Sequence, residues 1–298
     1  MSVAGGQAAA DERGNRFAGT EGVYLLPHHA KEIERLKTQH AFILSSTGGV
    51  LLTAPLKPAV KVLDSGAADG TWLRDLPRLY PSTKWSLHGI DIASALFPRD
   101  AGELDLREVD IRGPPPPSLQ WQGGFDLIHQ RLLVWGLPGA EWPKVLKNHY
   151  SLLKPRGYIQ LVEAQWIDRD HSFDASKFPN LAKITKVQQW SGSNFGMDMY
   201  IAYRLEELLQ QAGFQVVSKT QYSLGYGAKA REEKWREKSA DMWIDTFRGF
   251  GQKWPVGGIP GAAETVEEFH ALLDDLRGEL LDYGVAPKIN FVVGQKPE

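Results

Sequence analysis

The stretch from Val60 to Leu73, VKVLDSGAADGTWL, constrains the fold of this chain more than any other. An apolar, β-branched run ends at the acidic Asp64, and a loop of small residues then leads into a segment compatible with a helix. Gly66 and Gly70 lack a Cβ where a backbone must turn sharply or approach a ligand. The N–H groups of such a loop and helix start can face an electronegative group. The pattern predicts the first nucleotide-binding unit of a parallel α/β sheet.

Composition excludes several classes of protein. The chain has 298 residues, 42% of them apolar, and a net charge of −2, so nothing favours nucleic acid as a partner. It has no cysteine, which rules out disulfides, cysteine-bound metal and thiol catalysis, and no metal site is predicted. No apolar run approaches the roughly 20 residues of a membrane span, and no signal-peptide core is present. We therefore predict a cytoplasmic protein without membrane contact.

Strands and helices alternate between about residues 60 and 165, which predicts a doubly wound, mostly parallel sheet. Polar side chains fall at the ends of successive strands, where such sheets bind ligands: Asp64, Asp91, Asp110, His129 and Glu163. The second half is more helical and adds two strands. The seven predicted strands are Val60–Asp64, Trp85–Asp91, Leu106–Ile111, Phe125–His129, Tyr158–Glu163, Phe214–Ser218 and Ile289–Gly294.

Two classes of cofactor compete for this sheet. A dinucleotide site needs a second glycine that lets the backbone reach a pyrophosphate, and here Gly66 is followed by Ala67, Ala68 and Asp69 instead. An acidic side chain in the loop would also repel a diphosphate. S-adenosyl-L-methionine carries a sulfonium, an ammonium and a ribose diol but no phosphate, and carboxylates at strand ends suit all three groups.

These motifs resemble the Rossmann-like (class I) S-adenosylmethionine-dependent methyltransferases. The residues that carry the resemblance are Asp64–Gly70, Gly89–Asp91, Val109–Ile111, Phe125–His129 and Leu152–Tyr158. Two family glycines are replaced, by Ala68 and Arg156. The segments Glu32–His40, Leu87–Asp91 and His129–Leu133 resemble more narrowly the fungal methyltransferases of secondary-metabolite clusters. The resemblance implies a seven-stranded sheet covered by an N-terminal helical lid.

The resemblance also implies the roles of the cofactor-binding residues. Asp64 and Gly66, with the loop to Gly70, would line the methionine part, and Asp91 would accept from the ribose hydroxyls. Adenine would lie against Ile92, Asp110 and Ile111, with His129, and Gln130 and Arg131 beside it, under the sulfonium. Structural roles stay open: loop capping by Asp64, a structural hydrogen bond by His129, and an ion pair by Arg131.

A proton-bearing acceptor needs a general base, and the chain offers several. The candidates are His40, His129 and Glu163, together with His28, His29 and His171. The predicted acceptor pocket uses an aromatic and thioether cluster, although core packing would explain each member equally well. Its residues are Trp166, Trp190, Phe195, Met199 and Tyr203, and the helical pair Trp243 and Phe247 faces either cavity or core.

The predicted domains are a flexible leader (1–20), the helical lid (21–58) and a Rossmann-like domain (59–298) with helical insertions at about 166–212 and 228–284. The predicted function is S-adenosylmethionine-dependent methylation of a small, largely apolar secondary metabolite at oxygen or nitrogen, and a homodimer is left open. One alternative is a regulatory protein of secondary metabolism that retains the fold. Another is an enzyme that keeps the cofactor but catalyses a step without methylation. A nicotinamide dehydrogenase is disfavoured by the loop.

Overall fold

A computed structural model describes residues 30–169, 175–252 and 254–298. Its seven strands are β1 (Ala59–Ser65), β2 (Lys84–Asp91), β3 (Asp105–Glu108), β4 (Phe125–Arg131), β5 (Leu153–Ala164), β6 (Gln215–Ser223) and β7 (Lys288–Gln295). They form one sheet in the order β3-β2-β1-β4-β5-β7-β6. The first five strands are parallel to one another, and β7 runs antiparallel to both β5 and β6. The predicted fold class is confirmed.

The main helices are α1 (Ala30–Ser46), α2 (Thr71–Leu79), α3 (Trp142–Leu152), α4 (Pro179–Phe195), α5 (Leu205–Gln211), α6 (Arg236–Gly251) and α7 (Val266–Asp282). Between α4 and β6 the chain forms a 3-10 turn at Ile201–Tyr203 and then α5, which are separate because the backbone of Arg204 leaves the helical region. A 3-10 turn at Glu233–Trp235 leads directly into α6. The predicted leader lies outside the described residues.

The apolar runs of the strands are explained by cover on both faces of the sheet. On one face, Leu73 and Leu76 of α2 pack with Val62 and Leu127. On the other face, Val145 and Leu146 of α3 join a larger core that also takes in α6 and α7. Within the described part of the chain, no helix is both long and apolar enough to cross a membrane.

Strand register brings the polar strand ends to one edge. Asp64 lies opposite Gly89 of β2 and His129 of β4. Asp110 was expected on a third strand, but β3 ends at Glu108 and the chain turns there. The turn is closed by Asp110, whose carboxylate accepts from the backbone N–H and the guanidinium of Arg112. Asp110 therefore reaches the edge from a loop.

The loop between β1 and α2 turns through the left-handed region of φ. Gly66 and Gly70 have φ of 81° and 80°, and Ala68 between them has φ of 46°. Arg156, in the turn inside β5, has φ of 61°. The two positions at which this chain lacks a family glycine therefore both adopt a conformation that favours glycine. The family pattern is explained by backbone geometry at these sites.

Replacing Ala68 with glycine is expected to raise the free energy of unfolding by about 0.5–1 kcal/mol, because relief of left-handed strain outweighs the added freedom of the unfolded chain. Urea denaturation measures the change. The matched control is Ala67→Gly, since Ala67 has no positive φ, is buried and should lose stability. Arg156→Gly should stabilise in the same direction as Ala68→Gly. A destabilised Ala68→Gly protein would contradict this account of the loop.

Candidate functional site

A cavity opens at the carboxyl edge of the sheet, between the strand ends and the helices α1 and α6. The side beyond β1, β2 and β3 is its acidic end, defined by Asp64, Asp69, Asp91 and Asp110. The side beyond β4, β5 and β6 is its aromatic end, defined by Trp135, Trp166, Tyr226, Trp243 and Phe247. Because β1 and β4 are neighbours in the sheet, the boundary between the two ends runs between these two strands.

The structure brings together most of the residues predicted to bind a cofactor. The cavity is lined by Asp64, Gly66, Asp91, Ile92, Asp110, Ile111 and His129. Gly70 does not line it. Its φ of 80° lets the chain leave the loop and start α2, and a Cβ there would lie 2.6 Å from Leu104. Gly70 therefore determines the shape of the loop without contacting the cavity.

Asp91 organises the loop from the end of β2. Its Oδ2 atom accepts from the N–H of Ala68 over 2.9 Å. Burial raises the pKa of Asp91 to about 6, against the opposing effect of these backbone hydrogen bonds. Above that pH the carboxylate is an acceptor at the cavity wall, where a pair of hydroxyl groups could donate to it.

Asp64 forms a hydrogen bond with the buried imidazole of His129. Nδ1 of His129 donates to Oδ1 of Asp64 over 2.7 Å, and both side chains are almost fully buried. The imidazole stacks on Trp72 with ring centroids 3.8 Å apart. Burial lowers the pKa of His129, so the ring is neutral, and its Nε2 atom has no partner among the described residues. A neutral imidazole therefore forms part of the cavity floor with a free lone pair.

His40 links three elements at the cavity wall. Its Nε2 atom lies 2.9 Å from Oδ2 of Asp75 on α2, and Nη2 of Arg131 on β4 lies 3.1 Å from its Nδ1 atom. Burial, reinforced by the charge of Arg131, lowers the pKa of His40 to about 4. The guanidinium must donate to Nδ1, so His40 donates from Nε2 to Asp75 and its lone pair is occupied.

Glu163 lies at the end of β5 and does not line the cavity. Its Oε1 atom accepts from the N–H of Leu133 over 2.6 Å, and Oε2 has no partner among the described residues. Burial raises its pKa to about 8, so the carboxyl is mostly protonated at neutral pH. The side chain holds the loop after β4, which includes Leu133 and Trp135 of the cavity wall.

Of the predicted acceptor residues, the structure places Trp166 in the cavity wall and the other four outside it. Trp190 and Phe195 pack with each other and with Phe250. Met199 is buried in the core, and the Tyr203 hydroxyl donates to the carbonyl of Ile167. The base candidates His28, His29 and His171 lie outside the described residues.

Sequence reasoning missed other lining residues. They are Arg35, Gln39, Gln188, Met242 and Thr246, and Trp243 and Phe247 also face the cavity. Four of these follow a helical spacing on α6: Met242, Trp243, Thr246 and Phe247. Residues at i, i+1, i+4 and i+5 share one side of a helix, so this stripe was the available signal. Gln188 has no comparable signal, since it lies among buried apolar residues of α4.

The chemistry of the acidic end fits S-adenosyl-L-methionine. Carboxylates of Asp64, Asp91 and Asp110 would oppose a diphosphate but suit a cation and hydroxyl donors. The Ser65 hydroxyl is buried in the same wall without a partner among the described residues. No cluster of His, Asp or Glu within the described ranges could hold a metal ion.

Comparisons with known proteins agree with this geometry. The profile of a methyltransferase-domain family matches residues 29–219. N-methyltransferase verN of Clonostachys rogersoniana is 29% identical over 96% of each chain. N-methyltransferase tcpN of Claviceps purpurea is 30% identical over 86% of this chain and 91% of its own.

Solved structures give the same fold. A chain from a complex of a Haloferax volcanii methyltransferase with its activator superposes with a TM-score of 0.51 at 13% identity, over 94% of this chain and 98% of that one. The seven-stranded sheet and the match of the family profile to residues 29–219 assign the chain to the same family. The chain belongs to the methyltransferase-domain family and is a Rossmann-like, S-adenosyl-L-methionine-dependent methyltransferase.

Proposed function

We propose that the protein transfers a methyl group to a nitrogen atom of a small, largely apolar secondary metabolite. The observation that carries the proposal is the two-ended cavity, in which acidic strand ends meet an aromatic wall. The names of the relatives favour nitrogen over oxygen, since verN and tcpN are both N-methyltransferases. The aromatic end suits a flat, apolar acceptor with few polar groups.

The acidic end would bind the methyl donor. Asp91 would accept from the ribose hydroxyls, Asp110 and Ile111 would contact adenine, and Asp64 would face the methionine part. S-adenosyl-L-methionine supplies a methyl group that its positively charged sulfur has already activated. The protein's main tasks are therefore to orient the acceptor in line with that group and to exclude water.

Among the predicted bases we assign different tasks. His129 keeps a free Nε2 lone pair at the cavity floor and is the candidate that can accept a proton. The lone pair of His40 is taken by Arg131, so His40 acts by positioning that guanidinium. Glu163 is mostly protonated at neutral pH and acts by holding the loop after β4.

The test is incubation of the full chain with S-adenosyl-L-methionine, isotopically labelled in the methyl group, and an extract of fungal secondary metabolites. We expect a labelled product that is heavier than its precursor by one methyl group, with the label bonded to nitrogen by NMR. Label on oxygen would overturn the choice of atom. Turnover without transfer of label would favour an enzyme that uses the cofactor without methylation.

A regulatory protein would bind the cofactor and transfer no label to any metabolite. We also propose that the protein is cytoplasmic and that it has no nucleic acid as a partner. Whether it forms a homodimer is left open. Size-exclusion chromatography with light scattering decides this point. A titration with a duplex oligonucleotide tests the expectation on nucleic acid.

A further inference from the structure

Gln188 is one of several polar side chains of the cavity wall that have an atom without a partner within the described residues; Ser65 and His129, beside Asp64, are others. Gln188 on α4 is 2% exposed and lines the cavity, and neither its amide nitrogen nor its oxygen makes a hydrogen bond in residues 30–169, 175–252 or 254–298. The carboxamide is open to the cavity and is therefore available to a ligand, since polar groups that a ligand covers need a hydrogen-bond partner. A bound ligand that covers Gln188 would have to supply that partner.

Two other polar groups lie in the wall near the aromatic end, and one of them, Tyr226, resembles Gln188 in having no partner in the described part of the chain. The Thr246 hydroxyl already donates to the carbonyl of Met242 over 3.0 Å. The Tyr226 hydroxyl has no hydrogen-bond partner among the described residues, and burial raises the pKa of Tyr226, so it remains an O–H group. Its ring packs on Trp243 with centroids 4.6 Å apart. Gln188 and Tyr226 are thus two neutral, buried polar groups facing the cavity.

Among the residues that the structure describes, negatively charged side chains line the cavity at one end only; the positively charged lining residues are Arg35, Arg112 and Arg131. The carboxylates that line it belong to the acidic end: Asp64, Asp69, Asp91 and Asp110. Among the described lining residues, none at the aromatic end carries a negative charge. A protonated amine there would have no counterion, whereas a neutral group would pair fully with a carboxamide.

We infer that Gln188 determines acceptor specificity by binding a neutral group that presents a hydrogen-bond donor and an acceptor side by side, as a lactam does. The carboxamide of glutamine matches such an edge, since its oxygen accepts while its NH₂ group donates. Aromatic side chains of the cavity would hold the flat ring that carries the lactam. This inference rests on the proposed function, because it names the substrate class for the same cavity.

The experiment uses three bicyclic probes that share one ring skeleton: quinolin-2(1H)-one, its 1-methyl derivative and the 1-methylquinolinium cation. Calorimetry measures their binding to the full chain with S-adenosylhomocysteine present. We expect quinolin-2(1H)-one to bind about 10-fold more tightly than its 1-methyl derivative, as a hydrogen bond to an otherwise unpaired buried group would give. Tighter binding of the cation would overturn the inference.

Gln188→Leu should abolish the preference for the N–H probe while leaving the protein folded, since it replaces an unpaired amide with an apolar group of similar size. The matched control is Gln189→Leu, at the exposed neighbouring position, which should keep the preference. A preference that persists in Gln188→Leu would be steric and would overturn the inference. Binding is measured without turnover, so this result and the labelled-methyl result can fail separately.

Discussion

Replacing Asp91 with alanine is expected to weaken binding of S-adenosyl-L-methionine by about 1–3 kcal/mol, or roughly 5- to 150-fold. The carboxylate has two tasks that alanine cannot perform. It would accept from the ribose hydroxyls, and it already holds the N–H of Ala68 in the loop before α2. Calorimetry with S-adenosylhomocysteine measures the loss without depending on an acceptor.

The control for this change is Glu108→Ala. Glu108 lies opposite Asp91 in the register of β2 and β3, but it is exposed, pairs with Ser94 and does not line the cavity. Removing its carboxylate should leave cofactor affinity within about 2-fold, as expected for a surface change of a few tenths of a kcal/mol. Equal affinity in the wild type and Asp91→Ala would contradict our placement of the ribose.

The second large effect concerns pH and Glu163. Between pH 6.5 and 8 we expect the contribution of Glu163 to the free energy of unfolding to fall by about 1–2 kcal/mol. Glu163 has a folded pKa of about 8 and a reference value of 4.5, so in this window the folded state binds more protons than the unfolded state. The stabilisation that Glu163 contributes is complete below its unfolded pKa and is lost as the pH rises through its folded pKa.

Buried histidines have the opposite effect on stability: the free energy of unfolding rises with pH as unfolded histidine loses its proton. Burial lowers the pKa of His40 to about 4 and that of His149 to about 3, so both stay neutral when folded. They cost stability where unfolded histidine gains a proton, which begins at about pH 7.5 and is half complete at about pH 6.5. The pKa values of His88 and His129 are lowered as well, so the histidines oppose the decline in the lower part of the window, and the difference between the wild type and Glu163→Gln isolates the contribution of Glu163.

Urea denaturation at several pH values gives the measurement. Glu163→Gln, which stays neutral and keeps a similar shape, should lack this decline, so its free energy of unfolding relative to the wild type should rise by about 1–2 kcal/mol between pH 6.5 and 8. Glu267→Gln, a matched change at an exposed position of α7, should leave it in place. An unchanged decline in Glu163→Gln would show that the buried carboxyl is not its source.

The parallel sheet was predictable because its signals are local. A β-branched run such as Val60–Asp64, a loop of small residues and a helix-compatible segment follow one another in the chain, and strand register then brings Asp64 and Asp91 to one edge. Asp110 was harder to place. The hydrogen bonds of Asp110 to Arg112 form a turn that ends β3 early, and sequence alternation does not reveal such a turn.

The acceptor side was predicted less well because aromatic composition does not say which side of a helix meets a cavity. Trp190 and Phe195 lie on α4 and pack with Phe250 of α6, whereas Gln188 of the same helix faces the cavity. That choice depends on how α4 and α6 cross, which is a long-range property. The polar residue, rather than the aromatic ones, marks the functional side of α4.

The helix that covers the cavity carries its own counterion. Arg35 of α1 lines the cavity, and its guanidinium makes two hydrogen bonds to the carboxylate of Glu32, one turn earlier on the same helix. Raising α1 would move both charges together, so admission of an uncharged guest need not separate this ion pair. Raising α1 would instead separate the guanidinium of Arg35 from the Thr246 hydroxyl of α6, 3.5 Å away. It would also break the hydrogen bonds that join His40 to Asp75 and Arg131.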